Sequence, residues 1–301
     1  MKHLLLLIAV ALLSSCGPDS RENRRGGTPY DEEDSTLLRV AVTPTLDCLP
    51  LYLASDHGLF DREGVEVVLR SYQAQMDQDT AIARSRVDIL TTDLVRAERL
   101  QRQGLPLDYL SATNLHWQLY TNKMARIKRL EQLDDKMLAM TRYSATALLS
   151  DVAVDSARLA TERVFRIQVN DIGIRLNMLE TGIMDALWLP EPQATRARQL
   201  GSAELLDSRA LDIRLGVMAV RRAVMTDSLR KQQVAAFVRA YNSACDSINI
   251  KGVGHYRALI ERYCGVKPEV TDSLPADTTF CAAQPPRQQD IERARKWLDR
   301  H

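Results

Sequence analysis

The sequence is poor in the residues that build disulfide scaffolds, metal centres and polyanion-binding surfaces. Five cysteines and five histidines are scattered over 301 residues, with no Cys-x-x-Cys pair and no cluster at metal-ligand spacing, so we expect no metal site. Basic residues exceed acidic residues by only one, which gives no reason to expect a nucleic-acid partner. Hydrophobic residues reach 45%, enough for one large or two medium globular domains.

The amino terminus carries the pattern of a processing signal. A short positive stretch precedes the apolar run Leu4 to Leu13, which is too short to span a bilayer of ~30 Å as a helix. The next residues, Ser14-Ser15-Cys16, resemble the lipobox of bacterial lipoproteins, in which the cysteine is acylated and becomes the first residue. The alternative is an ordinary secretory signal with a chance cysteine. We predict a signal peptide at 1–15, lipidation of Cys16 and a membrane lipoprotein of the cell envelope that faces the periplasm.

Residues 16–36 predict a flexible tether between this lipid anchor and a folded body. They contain one large apolar side chain and many glycine, proline and charged residues, a composition that cannot bury a core. As a flexible coil, the segment reaches a few tens of ångströms. The body could therefore work near a membrane partner without touching lipid.

From Leu37 onward, short apolar strands alternate with helical segments in two successive runs. Strands are predicted near 37–42, 65–69, 87–91, 107–110, 118–121, 137–140, 164–169 and 185–189. Such alternation predicts βαβ units and a largely parallel sheet. Asp88 and Leu90 recur at the same spacing as Asp185 and Leu187, which favours two related lobes.

We predict an α/β protein with two lobes, each a mostly parallel sheet with flanking helices. The first lobe is assigned to residues 37–122 and the second to residues 123–212, and the chain returns to the first lobe over 213–301. The returning segment contains a predicted strand followed by helices that have no lobe of their own. The chain is therefore expected to cross between the lobes twice.

Four stretches resemble the type II periplasmic solute-binding proteins of ABC importers, in the group that includes aliphatic-sulfonate, nitrate and thiamine-precursor binding proteins. They are the Gly-Leu-Phe segment at 54–67, the pair Val87-Asp88, the Glu-Pro segment at 185–192, and the tail 286–298 that ends in Trp-Leu. The resemblance implies crossing strands near 120–126 and 210–217, with a ligand cleft between two lobes. It also implies a small-molecule ligand and ABC permease subunits as partners. We expect a monomer that needs no cofactor.

Candidate ligand-binding residues lie in loops that follow strands, because open α/β sheets bind ligands outside the carboxyl ends of their strands. They are Thr43, Asp47, Tyr72, Thr92, Asp93, Arg142, Ser144, Trp188 and Glu191. Asp47, Asp93 and Ser144 also precede predicted helices, where capping is the commoner role. Glu191 lies in the first turn of a helix, which favours a carboxylate in any case. Trp188 could stack on a flat ligand or fill the hinge.

The charge of these candidates favours a neutral or cationic ligand. The candidate residues include three carboxylates but only one arginine, Arg142. A sulfonate or nitrate site should instead present cations or N–H donors. With two aromatic candidates as stacking faces, a nitrogen heterocycle such as a thiamine precursor is the leading hypothesis. The alternatives are an enzyme of the same fold in pyrimidine or quinone precursor synthesis and a sensory lipoprotein without transport. We expect no enzyme, because the chain lacks a Gly-x-Ser-x-Gly motif and the cysteine-rich iron motif of enzymatic relatives.

Cys264 and Cys281 flank a polar, proline-rich stretch near the carboxyl end. In an oxidising compartment they could form a disulfide that holds this loop and stabilises the fold by about 3 kcal/mol in the chain-entropy model. Cys48 and Cys245 are interpreted as small buried hydrophobic residues.

Overall fold

The structure is a computed structural model that describes residues 37–301. The predicted signal peptide, the lipidation of Cys16 and the tether lie outside the described residues. Within the described part of the chain, no helix combines the length and the apolar character needed to cross a bilayer.

Residues 37–301 contain ten strands in two five-stranded sheets. In chain order these are β1 (Leu38–Val42), β2 (Val67–Ser71), β3 (Ile89–Asp93), β4 (Leu107–Ala112), β5 (Gln118–Thr121), β6 (Lys136–Met140), β7 (Val164–Gln168), β8 (Ala186–Leu189), β9 (Ala203–Asp207) and β10 (Gly216–Arg221). The first sheet has the order β2-β1-β3-β10-β4 and the second β7-β6-β8-β5-β9. Each sheet has one reversed strand, β10 in the first and β5 in the second. The two sheets therefore share one topology.

Helices cover the sheets and make up most of the carboxyl-terminal region. They are α1 (Leu49–Asp56), α2 (Leu59–Arg62), α3 (Gln75–Ala83), α4 (Leu94–Arg102), α5 (Ala145–Ser156), α6 (Ile172–Glu180), α7 (Gln193–Gln199), α8 (Ser228–Lys251), α9 (Arg257–Cys264), α10 (Pro268–Thr271) and α11 (Gln288–Leu298). Helix α8 packs on α1 and α2, and α11 packs on α4. The carboxyl-terminal helices thus cover the first sheet, as expected from the sequence.

The internal repeat in the sequence corresponds to equivalent elements of the two sheets. Strands β3 and β8 occupy the same central position, and each is followed by a helix, α4 or α7. Asp88 and Asp185, the repeated aspartates, lie just before these strands. Strand β9 and the short helices α2 and α10 are additional elements that the sequence pattern does not predict.

Strand β5 belongs to the second sheet, whereas the sequence pattern assigns it to the first lobe. It pairs with β8 and β9, so the first crossing between the sheets comes earlier, at residues 113–117, and not near 120–126. This connection contains no glycine or proline, and the pattern therefore shows no boundary there. The return crossing, at residues 208–215, overlaps the predicted one.

The two crossing segments lie side by side where the chain passes between the lobes. Ser208 N donates to Trp117 O at 3.0 Å, and Trp117 N donates to Ser208 Oγ at 3.1 Å. Gly216 begins β10 directly after the return crossing. A Cβ at this position would lie 2.5 Å from Thr113 Oγ1, so the close contact between the crossing segments requires glycine.

One hydrophobic core cluster spans both lobes. It contains Leu90 and Leu94 from the first lobe and Leu138 and Trp188 from the second. A separate cluster lies under α8 in the first lobe. Since the shared cluster is buried across the interface, the lobes are in contact in this structure.

Candidate functional site

The carboxyl ends of β1 and β3 face the carboxyl ends of β6 and β8 across the interface between the lobes. Hydrogen bonds that cross it here include Leu46 N to Glu191 O at 2.8 Å, Gln193 Nε2 to Pro44 O at 2.8 Å, and Arg96 Nη1 to Arg142 O at 3.5 Å. An antiparallel bridge also joins Ala74 and Asp171. We call this region the interlobe cleft and define it by the loops 43–48, 91–93, 141–146 and 188–193.

The loop after β1 contains a buried cluster of hydroxyl and thiol groups. Thr43 Oγ1 and Thr45 Oγ1 are 2.8 Å apart, and Cys48 Sγ is 3.4 Å from Thr91 Oγ1. Tyr52 donates its hydroxyl hydrogen to the carbonyl oxygen of Thr43. Burial, together with the nearby Asp47 charge, raises the pKa of the Cys48 thiol to about 12. The thiol is therefore neutral at physiological pH, and the loop is ordered by its own hydrogen bonds.

Asp47 lies inside a 3₁₀ turn, Leu46–Cys48, rather than at the N-cap expected from the sequence. The residue that caps α1 is Cys48, which makes no side-chain cap hydrogen bond. Thr113 Oγ1 lies 3.4 Å from Asp47 Oδ2, and Oδ1 is buried with no partner among residues 37–301. Burial raises the pKa of Asp47 to about 6, although hydrogen bonds from Thr45 and Thr113 act in the opposite direction.

Asp93 is the N-cap of α4, which confirms the capping interpretation. Its Oδ1 accepts a hydrogen bond from Arg96 N at 3.0 Å. Its Oδ2 is buried and has no partner in the described part of the chain. Burial raises the pKa of Asp93 to about 6, and the charge of Arg96 only partly offsets this effect. One carboxylate oxygen thus supports the helix, and the carboxyl group also faces the backbone N–H of Ala145 at the start of α5 on the second lobe, which acts to lower its pKa.

Ser144 has the same capping role on the second lobe. Its hydroxyl oxygen accepts from Thr146 N at 3.1 Å at the start of α5, and it donates to Thr141 O at 2.7 Å. Both of these bonds hold the loop after β6. The capping interpretation of Ser144 is confirmed.

Glu191 is buried in a network that uses both of its carboxylate oxygens. Oε1 accepts from Arg198 Nη2 at 2.6 Å, and Oε2 accepts from Thr195 N at 2.9 Å and Thr195 Oγ1 at 2.7 Å. Trp188 is also buried, in the shared core cluster, and its Nε1 donates to Ser150 Oγ at 2.9 Å. In this structure Glu191 and Trp188 support the second lobe.

The remaining sequence candidates differ in accessibility. Thr92 is buried, and its Oγ1 has no partner within the described residues. Tyr72 is half-buried against the shared core cluster. The side chain of Arg142 is exposed, and only its carbonyl oxygen joins the interface. The structure therefore brings Thr43, Asp47, Thr92 and Asp93 together on the first lobe, with Ser144 and Glu191 on the second.

Two buried glutamines, one of them at the interface between the lobes, were missed by sequence reasoning. Gln193 bridges the lobes through Nε2, and its Oε1 is buried without a partner among residues 37–301. Gln78 is fully buried on α3, and neither of its amide atoms has a partner in the same part of the chain. An amide inside a helix has no distinguishing sequence pattern, so neither residue could be singled out.

Arg175 is a buried cation that the sequence-based charge count also missed. It donates to Val169 O at 2.7 Å, to Trp188 O at 3.2 Å and to Thr141 Oγ1. Burial lowers its pKa to about 10. Its three nitrogens all have partners, and they join the carboxyl ends of β6, β7 and β8. Arg175 thus positions the loops of the second lobe and already uses its donors within that lobe.

The unpartnered atoms of the cleft loops are mostly hydrogen-bond acceptors. Asp47 Oδ1, Asp93 Oδ2 and Gln193 Oε1 accept only, and Thr92 Oγ1 can donate or accept. Leaving such a buried atom unsatisfied costs about 1–3 kcal/mol. A small molecule that offers N–H or O–H donors would satisfy these atoms. The described residues contain no group of three His, Cys, Asp or Glu side chains arranged to hold a metal ion.

An open groove of about 610 Å³ lies elsewhere, between α5 and α11. Its central acid, Asp151, accepts from Trp297 Nε1 at 2.5 Å and lies 3.2 Å from His301 Nε2. Asp151 also pairs with Arg166. The polar groups at the centre of this groove are thus satisfied by the protein itself, and we take the interlobe cleft as the candidate site.

Comparison with known proteins places this geometry in context. Residues 45–249 match the protein-family model described as NMT1/THI5 like. No curated protein sequence matches the chain.

Solved structures share the fold at low sequence identity. The ligand-binding component of an ABC-type import system from Staphylococcus aureus, with zinc bound, has a TM-score of 0.75 and 16% identity, with 88% of this chain and 93% of that chain covered. The alkanesulfonate-binding protein SsuA from Xanthomonas axonopodis pv. citri, bound to MOPS, has a TM-score of 0.73 and 18% identity, with 88% and 91% covered. The periplasmic nitrate-binding protein NrtA from Synechocystis PCC 6803 has a TM-score of 0.67 and 12% identity, with 83% and 74% covered. The predicted two-lobed fold of periplasmic binding proteins is confirmed.

Proposed function

Because the chain belongs to the NMT1/THI5-like family, we propose that it captures a small molecule in the interlobe cleft and delivers it to an ABC importer outside the cytoplasm. The observation that carries this proposal is the set of buried acceptors with no partner among residues 37–301, namely Asp47 Oδ1, Asp93 Oδ2 and Gln193 Oε1. Each costs stability unless a ligand or water satisfies it. Four of the twelve buried side-chain atoms that lack a partner among residues 37–301 lie in the loops of the interlobe cleft, which supports this region as the ligand site.

Binding and delivery would use closure of the two lobes about the crossing segments. The hydrogen bonds from Leu46 to Glu191 and from Gln193 to Pro44 join the lobes in this structure, and separation of the lobes would break them. A ligand that contacts both lobes stabilises the closed state relative to the open state. A permease that recognises both lobes would then distinguish the loaded protein from the empty one.

The chemistry of the cleft favours a neutral or cationic ligand rich in N–H donors, such as an aminopyrimidine thiamine precursor. The buried cation of the first lobe, Arg96, is paired with Asp79, although its Nε has no partner among residues 37–301, and each side-chain nitrogen of Arg175 donates within the second lobe. A sulfonate or nitrate would instead meet the buried carboxylates of Asp47 and Asp93, which repel an anion when ionised. A donor-rich heterocycle would satisfy the same carboxylates.

Native mass spectrometry of the protein purified from its own cells tests this function. We expect a co-purified, chemically unmodified small molecule, and its amount should fall in Asp93→Asn. Conversion of the molecule on rebinding would indicate an enzyme of the same fold, and a protein that never retains a ligand would contradict the proposal. A permease gene and an ATPase gene beside this one would distinguish transport from a sensory role.

The lipid anchor is a separate part of the proposal and has its own test. Labelling cells with a fatty-acid probe should tag the wild-type protein at Cys16 and retain it in the membrane fraction, because two acyl chains bury enough methylene groups for durable anchoring. Cys16→Ser should be unlabelled and released. Release of the labelled wild-type protein without detergent would contradict this assignment.

A further inference from the structure

A loop segment near the carboxyl terminus lies along helix α8 and is held there by two asparagine side chains. Asn249 Oδ1 accepts from Phe280 N at 2.9 Å, and Asn249 Nδ2 donates to Phe280 O at 2.7 Å. Asn242 Oδ1 accepts from Ala283 N at 2.7 Å. Since the later asparagine binds the earlier loop residue, segment 280–283 runs antiparallel to the helix.

Cys245 lies between these two asparagines on the same face of α8. It follows Asn242 by three positions and precedes Asn249 by four, and residues at these spacings share one helix face. Cys281 lies between the two loop residues that the asparagines hold. The hydrogen bonds therefore bring Cys245 and Cys281 to the same short stretch of contact. Both are free thiols in this structure, Cys245 buried and Cys281 exposed.

The electrostatic surroundings of the cysteines agree with this pairing. Burial is the main cause that raises the pKa of the Cys245 thiol to about 12. The charge of Cys281 contributes in the same direction. Cys264 has different neighbours. Burial raises the pKa of its thiol, and the charges of Cys48 and Asp47 raise it further. The asparagine hydrogen bonds thus bring the segment of Cys281 to the face of α8 that carries Cys245, and Cys245, Cys264 and Cys281 are all free thiols in this structure.

We propose that Cys245 and Cys281 form a disulfide when the protein is in an oxidising compartment. Two S–H bonds and the S–S bond of an external disulfide break, one S–S bond forms between the cysteines, and the two protons and two electrons they lose convert the external disulfide into two thiols. The external oxidant is oxidised glutathione or the disulfide of a thiol–disulfide oxidoreductase. The exposed Cys281 thiolate attacks this oxidant first, and Cys245 then displaces the remaining thiolate from the mixed disulfide.

The bridge would fix one end of a segment that touches both lobes. We call residues 265–287 the carboxyl-terminal strap. On the second lobe, Gln199 Nε2 donates to Glu269 O at 2.5 Å and to Ser273 Oγ at 3.0 Å. On the first lobe, the asparagine side chains described above hold the strap to α8 near the two cysteines, and Gln284 O accepts a further hydrogen bond from Ala112 N at 2.7 Å. A disulfide there converts this non-covalent attachment into a covalent one.

The test is peptide mapping of the full-length protein, first reduced and then oxidised in the folded state with oxidised glutathione. Digestion without reduction should yield a linked pair of peptides that contain Cys245 and Cys281, lighter by two hydrogen atoms than the sum of the free peptides. Complete alkylation of both thiols after oxidation would overturn the proposal. A link between Cys281 and Cys264 would overturn it as well.

Two variants separate this bridge from the alternative. Cys281→Ser, at an exposed position, should leave Cys245 free and remove the difference in Tm between oxidised and reduced protein. Cys264→Ala should keep both the linked peptides and the Tm difference, which we expect to be about 5 °C or more. Loss of the bridge in a folded Cys264→Ala protein would contradict the assignment.

Discussion

Replacing Asp93 with asparagine should stabilise the ligand-free protein while weakening ligand binding. The asparagine oxygen can still accept from Arg96 N and cap α4, because asparagine and aspartate cap helices about equally well. The substitution removes a buried charge whose pKa rises from 3.8 to about 6 on folding. At about 1.4 kcal/mol per pKa unit, the ionised carboxylate lowers the free energy of unfolding by about 3 kcal/mol at pH 7.5. The variant should recover a large part of this amount.

The pH dependence follows from the same shift in the pKa of Asp93. Between about pH 4 and pH 6 the unfolded chain releases the proton while the folded protein retains it, so wild-type stability falls as the pH rises through this range. The slope should be smaller in Asp93→Asn, and the part that remains includes the contributions of Asp47 and Asp79, whose pKa values are raised in the same direction by burial.

Urea denaturation at pH 5 and pH 7.5 measures both effects. Asp227→Asn is the matched control, because Asp227 caps α8 through a hydrogen bond from Arg230 N at 2.8 Å but is exposed. Its free energy of unfolding should stay within about 0.5 kcal/mol of wild type. An Asp93→Asn protein that is no more stable than wild type at pH 7.5, with an unchanged pH slope, would refute the reasoning.

Two further substitutions test the contact between the crossing segments and the support of the second lobe. Gly216→Ala should lower the free energy of unfolding by about 1–3 kcal/mol, because the new Cβ would lie 2.5 Å from a threonine hydroxyl of the first crossing segment. Gly254→Ala is the control and should have a much smaller effect, because nothing lies within 4 Å of its Cβ. Equal effects of the two substitutions would contradict the close contact assigned to the crossing segments. Glu191→Gln weakens the ion pair with its arginine partner and should lower the free energy of unfolding, measured by urea denaturation, by about 2 kcal/mol. A loss of ligand affinity larger than in Asp93→Asn would show that Glu191 binds the ligand directly.

The order of strands and helices was predictable because buried parallel strands and amphipathic helices have distinct hydrophobic patterns. The repeat around Asp88 and Asp185 correctly pointed to equivalent strands, β3 and β8. The sheet to which β5 belongs was not predictable, because an apolar run indicates a strand without indicating its neighbours. Pairing with β8 and β9 is a long-range contact, and no glycine or proline marks the crossing before β5.

The cleft was partly predictable because ligand loops follow strands in this fold class. This rule identified Asp93 and Asp47, although Asp47 lies in a 3₁₀ turn instead of capping a helix. It did not identify Gln193, whose Nε2 bridges the lobes and whose buried Oε1 has no partner among residues 37–301, or Gln78, whose two buried amide atoms have none in the same part of the chain. The neighbours of Cys281 were also beyond the sequence, since Asn242 and Asn249 bring its segment to α8 from far along the chain.

Calorimetric titration of the ligand-free protein tests the central claim most directly. The ligands are an aminopyrimidine, thiamine, an alkyl sulfonate and nitrate, and each titration is repeated with Asp47→Asn and Asp93→Asn. We predict binding of the aminopyrimidine or thiamine, weakened tenfold or more by each substitution, because a charge-assisted hydrogen bond contributes about 1.5–3 kcal/mol. Tight binding of the sulfonate or nitrate that neither substitution changes would contradict both the ligand class and the assignment of the cleft.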